Sequence, residues 1–519
     1  MKDRGLPRAR ERILVAVLIA LLSISTIVPA GRAARAGANN DLLSIAWSVD
    51  TKTLDPAISG TNQEIWIFVN IYDQLVRVRR DNSGVQPDLA TSWEVSPGGL
   101  AYTFHLRRGV TFHNGAPLTA DDVKFAIDRA RDPKSTWSWT LTAVKTITAL
   151  DPATLRITLS HPWAPLLSDL ALFDTGVYPR AYFQKVGAAG LAQHPVGTGP
   201  YQLEEWKHSQ YVRLAKNPHY WLAAQYPMAH VEFQLIPNDV TRLLKVESGE
   251  LDVDNVLPSS LIQQAQAGSG VTVQNNASTL VYYIVPNHRT KPFADPMVRQ
   301  AINHAIDRAS LVKVVFGGRG TPANSFIPKG ALDYDAAIPV PSYDPALAQR
   351  LLSKSAYPRG FNATMQVQTG DTTYNQIAVI VANELAKVGI HITLRPTDPT
   401  TLYNNQAAGK YELIPTFWTN DIPDPDELVS YAIDFSQAAH AFWTNYNNPQ
   451  LASLVHQAQR ARDEATRRGI YAQIQQIYAE TVPFFSICYA PFINAVGSRV
   501  HGFSEHPLGY FNLQGVTKS

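Results

Sequence analysis

Cysteine is almost absent, at one residue in 519. A lone thiol cannot close an internal disulfide, and within FFSICYAPF Cys488 reads as a small buried hydrophobe, not a nucleophile. Catalytic signatures are missing as well. There is no G-x-x-x-x-G-K-[ST] phosphate loop, no H-E-x-x-H and no C-x-x-C; Gly318-Arg319-Gly320 does not complete a dinucleotide fingerprint, and Gly268-Ser269-Gly270 lacks the spacing of a nucleophile elbow. The 14 histidines form no ligand-spaced pair, so neither a metal centre nor a cofactor is expected. Internal repeats, low-complexity tracts and a disordered linker are lacking too, which excludes solenoids and leaves no compositional mark of a domain boundary. The formal charge of +2 carries no basic face: residues 1–36 hold seven of the 45 bases and two of the 43 acids, and the remaining 38 bases against 41 acids recruit no nucleic acid.

The excess of bases belongs to a leader. Lys2, Arg4, Arg8, Arg10 and Arg12 precede an apolar run from Ile13 to Val28, and Ala34-Arg35-Ala36 then offers a small-residue cleavage site. Residues 1–36 are expected to be a signal peptide. A cut after Val28-Pro29-Ala30, or an uncleaved run acting as a tether, is the alternative. No cysteine stands near the cleavage site to carry a lipid, so a free periplasmic protein is expected.

At this length, with 45% hydrophobic and 17% charged residues, a soluble chain divides into two or three lobes. Alternating strands such as Leu155–Leu159 and Ile390–Leu394, interleaved with capped helices, set an α/β class. In the block Pro87–Ala130, Tyr102, Phe104 and Leu106 alternate with Thr103, His105 and Arg107, and Val110 and Phe112 continue the period of two. Asn114-Gly115 closes a turn. Thr119 and Asp122 then cap a helix whose apolar stripe is Val123, Ala126, Ile127 and Ala130. His105 and His113 are expected to be solvated or turn residues. Farther on, Asp344-Pro345 opens a helix with Leu347, Leu351 and Leu352, and a stripe of Ile377, Val381, Leu385 and Val388 ends at Gly389. Two more helical patterns fill Pro449–Thr481 before Pro483.

The block, together with TLDPA (Thr53–Ala57), VGTGPY (Val196–Tyr201), NPHYW (Asn217–Trp221), SGELDV (Ser248–Val253), KPFADPMVRQAINHAIDR (Lys291–Arg308), YDPALAQRLL (Tyr343–Leu352) and WTNDIPDPDEL (Trp418–Leu428), resembles the extracytoplasmic solute-binding proteins of family 5, the binding components of peptide and nickel ABC importers. The resemblance implies a two-lobed class II periplasmic binding protein fold with an extra subdomain and a cleft between lobes. Its expected divisions are lobe I at 37–80, the extra subdomain at 81–195, lobe I again at 196–284, lobe II at 285–485 and a return to lobe I at 486–519, with crossings near Tyr282–Asn287 and Phe484–Val496. It implies a monomer that captures peptides and delivers them to ABC permease subunits with their cytoplasmic ATPase, without catalysis. The alternatives are the same role for a nickel complex, an amino-bearing metabolite or a sugar, and an exported sensor or enzyme on this fold.

WTNDIPDPDEL carries the candidate site. Asp424, Pro425 and Glu427 have capping work at the next helix, as N-cap, N1 and N3, which leaves Asp421 without a structural task. In resembling peptide binders the carboxylate at this W-x-x-D position receives the ligand's α-ammonium. Trp418 is open to two readings, a stacking surface or a core aromatic. The backbone of Phe417 and Thr419 offers an edge to an extended peptide. Ser59, Gly60 and Thr61 resemble the family's first cleft strand. Dipeptide-specific relatives place an arginine near the position of Gln368 or Thr369 to grip the ligand's carboxylate; none stands here, so longer peptides are expected over strict dipeptides.

Overall fold

The computed structural model describes residues 40–519 apart from Asn512, so the expected leader and its cleavage sites lie outside the described residues. Two large sheets organise the chain. The first has seven strands, in the order Val271–Asn276, Phe492–Gly497, Val253–Asp254, Leu42–Trp47, His230–Leu235, Tyr211–Lys216 and Tyr201–Lys207. The second has six, in the order Thr321–Pro322, Phe485–Tyr489, Val281–Pro286, Leu413–Trp418, Phe361–Gln368 and Ile390–Thr397. Strands from both ends of the chain share the first sheet, which makes the second lobe an insertion.

The chain leaves the first sheet after Asn276, enters the second at Val281 and returns between Tyr489 and Phe492. The boundaries expected at 284/285 and 485/486 thus cut through the strands Val281–Pro286 and Phe485–Tyr489. A strand ends where its ladder ends, and composition does not mark that point. The two crossing segments, 277–280 and 490–491, are bonded side by side: Ala490 N donates to Leu280 O at 3.1 Å, and Ser278 Oγ donates to Ala490 O.

A third sheet, antiparallel, holds Ala90–Val95, Ala101–Leu106, Thr154–Leu159 and Val144–Asp151. The helix Ala120–Ala130 packs on it through Val123, Ala126, Ile127 and Ala130. Its start is fixed by Asp122 Oδ2, which accepts from Thr119 N at 3.0 Å and Thr119 Oγ1 at 2.7 Å. His113 is a turn residue, as expected, but not a solvated one. Its Nδ1 accepts from Gly197 N (3.2 Å), which leaves Nε2 to donate to Gly199 O (3.1 Å), and burial pushes the ring down to about 4, so it stays neutral. The VGTG turn it clamps lies against the end of the helix Asn62–Ile71, where a Cβ on Gly197 would sit 2.0 Å from Ile71 O. Only glycine permits that approach.

In the second lobe Asp344 caps Leu347 N at 2.8 Å ahead of the helix Pro345–Ser353. The helix Thr372–Ala386 buries Ile377, Val381 and Leu385 and connects the parallel strands Phe361–Gln368 and Ile390–Thr397, with Gly389 at φ +90° making the turn. The run VRQAINHAIDR is two helices, Pro296–Ala305 and Arg308–Val315, because Ile306 is extended and the buried Arg308 donates to Asn303 O and Ser486 O. Cys488 is fully buried in the strand Phe485–Tyr489, and burial pushes its thiol far up.

Candidate ligand-binding cleft

A cavity of about 430 Å³, within the usual range of about 300–1,000 Å³ for small-ligand sites, opens between the two lobes. The first lobe supplies Gly60 and Thr61, the first turn of the helix Asn62–Ile71, and Trp137; the second supplies the end of the strand Leu413–Trp418, Gln368, and the rings of Tyr374, Tyr403 and Trp443. Seven of the eight expected residues line it together: Gly60, Thr61, Gln368, Phe417, Trp418, Thr419 and Asp421. Ser59 lies behind the wall. It is fully buried, its Oγ donates to Glu64 Oε2 at 2.6 Å, and its carbonyl accepts from Trp137 Nε1 at 3.1 Å. The segment Ile58–Asn62 is no strand either: it links a short 3₁₀ turn, Pro56–Ile58, to the helix Asn62–Ile71. Thr61 precedes that helix with Oγ1 buried and without a hydrogen-bond partner.

The strand Leu413–Trp418 pairs along its length with Val281–Pro286 on one side. On the other, its only paired residue is Leu413, opposite Met365. From Ile414 to Trp418 no ladder pairing with that neighbouring strand, Phe361–Gln368, continues, and Tyr374 meets the edge at Thr416 and the Phe417 backbone. Phe417, 40% exposed, projects near the rings of Tyr282 and Tyr374. Trp418 packs as a core aromatic on one side, 4.6 Å from Tyr431 and 6.0 Å from Phe442, and lines the cavity on the other. Thr419 is buried beside it.

Asp421 is the one charged side chain on this lining. The helix that follows spans Asp426–Ile433; Pro425 stands at its N-cap, and Asp424 Oδ1 accepts from Asp426 N at 2.9 Å. The expected capping roles therefore shift. Asp424 also pairs through both oxygens with Arg467, and Glu427, instead of closing a capping box, turns back so that Oε2 accepts from Asp421 N (2.9 Å) and Ile422 N (3.1 Å). The Asp421 carboxyl interacts with that of Glu427, whose Oε1 is buried without any other hydrogen-bond partner. Burial pushes Asp421 up to about 7, and burial next to Asp421 holds Glu427 well above the usual carboxylate range, so the pair shares a proton near neutrality. Asp174 of the first lobe, itself raised by burial, faces them. No basic side chain pairs with Asp421 among the described residues.

Tyr374, Tyr403, Trp137 and Trp443 went unread in the sequence as site residues. Trp443 reaches the cavity from a turn in which His440, Ala441, Phe442 and Trp443 all have φ between +44° and +59°. No periodicity announces such a turn.

Residues 84–439 match the model of the bacterial extracellular solute-binding proteins, family 5. The chain belongs to that family. Among its relatives are the heme-binding protein A of Haemophilus influenzae, 28% identical over 86% of each chain, and the dipeptide-binding protein of Escherichia coli, 26% identical over 92% of this chain and 96% of that one. The DppA periplasmic binding protein of Helicobacter pylori, solved with the peptide STSA, superposes with a TM-score of 0.83 at 28% identity, over 92% of this chain and 98% of that chain. The family 5 chain is thus the substrate-binding component of an ABC importer, with the two-lobed periplasmic binding protein fold, and its named relatives are binding proteins. No helix among the described residues is long and apolar enough to cross a membrane.

Proposed function

We propose that this family 5 protein captures peptides in the inter-lobe cleft, oligopeptides in preference to strict dipeptides, and hands them to its permease. The observation that carries the reading is Asp421, a single carboxylate without a basic partner on an otherwise uncharged, aromatic-rich wall. Such a group favours a ligand with one ammonium, and a charge-assisted hydrogen bond in a site that excludes water is stronger than a neutral one. The edge from Ile414 to Trp418, where that ladder has ended, supports an extended backbone binding beside it, which reads main chain and leaves side chains free. The lining holds no arginine, lysine or histidine to receive a carboxylate close by, in keeping with a ligand whose far end lies outside this cavity. A relative that binds dipeptides and a structural neighbour solved with a tetrapeptide lend the reading weight, while the heme-binding relative shows how far family ligands range.

The test is calorimetric titration of the wild type and Asp421→Asn with a mixed set of tri- to pentapeptides. Loss of the carboxylate is expected to weaken binding roughly tenfold to a hundredfold, the equivalent of about 1.5–3 kcal/mol for a hydrogen bond to a charged group. Equal affinities would remove Asp421 from the site.

A further inference from the structure

A second cavity, about 620 Å³, is lined by the first lobe except for Asp421, and shares two wall residues with the cleft, Ile65 and Asp421. A ligand anchored on Asp421 therefore stands at the junction of two spaces. The inner wall of the second is built by the segment 72–77 and by Asp88. Two distant sequence stations converge there: Thr198 of VGTGPY donates to Asp73 Oδ2 at 2.8 Å and Tyr220 of NPHYW donates to Asp73 Oδ1 at 3.1 Å, so both oxygens of Asp73 are engaged.

Arg77 beside it is only loosely held. Its guanidinium makes no hydrogen bond, lies 5.6 Å from the Trp221 ring and 4.0 Å from the nearest carboxyl oxygen, Asp88 Oδ1, and its Nε is buried without a partner. Gln74, 7% exposed, also keeps a buried Nε2 without an acceptor. Two unfilled donors on one cavity wall are costly to leave unmet and mark a place for an acceptor. Burial next to Asp73 pushes Asp88 up to about 8, so near neutral pH this carboxyl is protonated and does not repel an incoming anion.

We propose that this cavity is a second subsite, which takes a carboxylate carried close to the ligand's ammonium, with Arg77 and Gln74 as its donors. The inference rests on the reading that Asp421 holds that ammonium. Its ligand is a peptide whose first residue is acidic, or one whose first residue is joined through its side-chain carboxyl and so presents a free α-carboxylate. Both place an anion a few bonds from the ammonium, and the guanidinium fork suits a carboxylate.

Calorimetry of the wild type with Glu-Leu-Ala, γ-Glu-Leu-Ala and Gln-Leu-Ala separates the cases. One or both acidic peptides are expected to bind at least about tenfold more tightly than the glutamine peptide, and the tighter of the two identifies which carboxylate enters. Arg77→Gln is expected to bring the acidic peptides down to the level of Gln-Leu-Ala, while Ala-Leu-Ala, whose first side chain offers the cavity no acceptor, binds as to the wild type and certifies a folded cleft. Gln74→Leu, which leaves the Arg77–Asp88 pair in place, is expected to lower the preference in part. Equal wild-type affinities for all three peptides, or a preference that survives Arg77→Gln, would overturn the subsite and leave the peptide reading standing. Binding of none of the three would overturn both.

Discussion

At the scale of single residues the account turns on Asp421 and what surrounds its carboxyl. Burial, opposed by the neighbouring Glu427 carboxyl, sets it at about 7 instead of the ordinary 3.8. An ammonium binds the charged form, so affinity is fully expressed above about pH 7 and falls as Asp421 takes up a proton below it, by up to about tenfold per pH unit. Peptide titrations at pH 5.5, 7 and 8.5 are expected to show that fall, together with proton release on binding near pH 7; a flat profile would mean another group sets the charge of the site. Asp421 was legible because WTNDIPDPDEL offers structural work to its other acids. Glu427 was only half legible. Its helix-start position can be read from spacing, whereas its bonds to Asp421 N and Ile422 N depend on how tightly the intervening turn folds. Ser59 shows the converse, since small polar residues before a helix look alike whether they face a cleft or, as here, an internal Glu64.

Among the elements, those with caps and periods were readable. Thr119 with Asp122, Asp344 with Pro345, and Gly389 each mark an end through local chemistry that tertiary contacts do not change. The segment FSQAAHAFWTN resisted. Its left-handed turn at 440–443 costs roughly 1–2 kcal/mol per residue in backbone strain, and it persists because Phe442 packs between Tyr283 and Phe484, each 5.5 Å away, while Trp443 is delivered to the cleft. Strain held by packing leaves no trace in composition. His440 is exposed, at φ +44°, with its ring 5.1 Å from that of Phe435 and its Nδ1 3.2 Å from Phe435 O. Strain relief set against those contacts makes His440→Gly expected to stabilise the protein by a few tenths up to about 1 kcal/mol, since glycine adopts positive φ freely, measured as a raised midpoint of denaturant unfolding with peptide affinity unchanged. A lowered midpoint would show that the turn is not strained at that residue.

For the whole molecule, two short crossings at 277–280 and 490–491 join the lobes, bonded to each other as a paired hinge would be. Away from the hinge the lobes touch where Ala164 N donates to Gln459 O at 2.7 Å and Arg462 Nη2 to Pro97 O at 2.5 Å. Contacts of this kind stabilise the liganded arrangement without meeting the ligand. Arg462→Ala is expected to raise the peptide Kd two- to fivefold, about 0.5–1 kcal/mol for one exposed hydrogen bond, through faster release and with association unchanged in stopped-flow; an unchanged release rate would confine that contact to the surface. The order of the lobes was legible only through eight stations in register, because no linker or change in composition separates them. The most direct test of the central claim compares one tripeptide with its N-acetylated form, by calorimetry, on the wild type and on Asp421→Asn. Acetylation is expected to weaken wild-type binding at least about tenfold and to make no difference to the variant, because the ammonium and the carboxylate are partners. Equal wild-type affinities for the two forms would contradict the account.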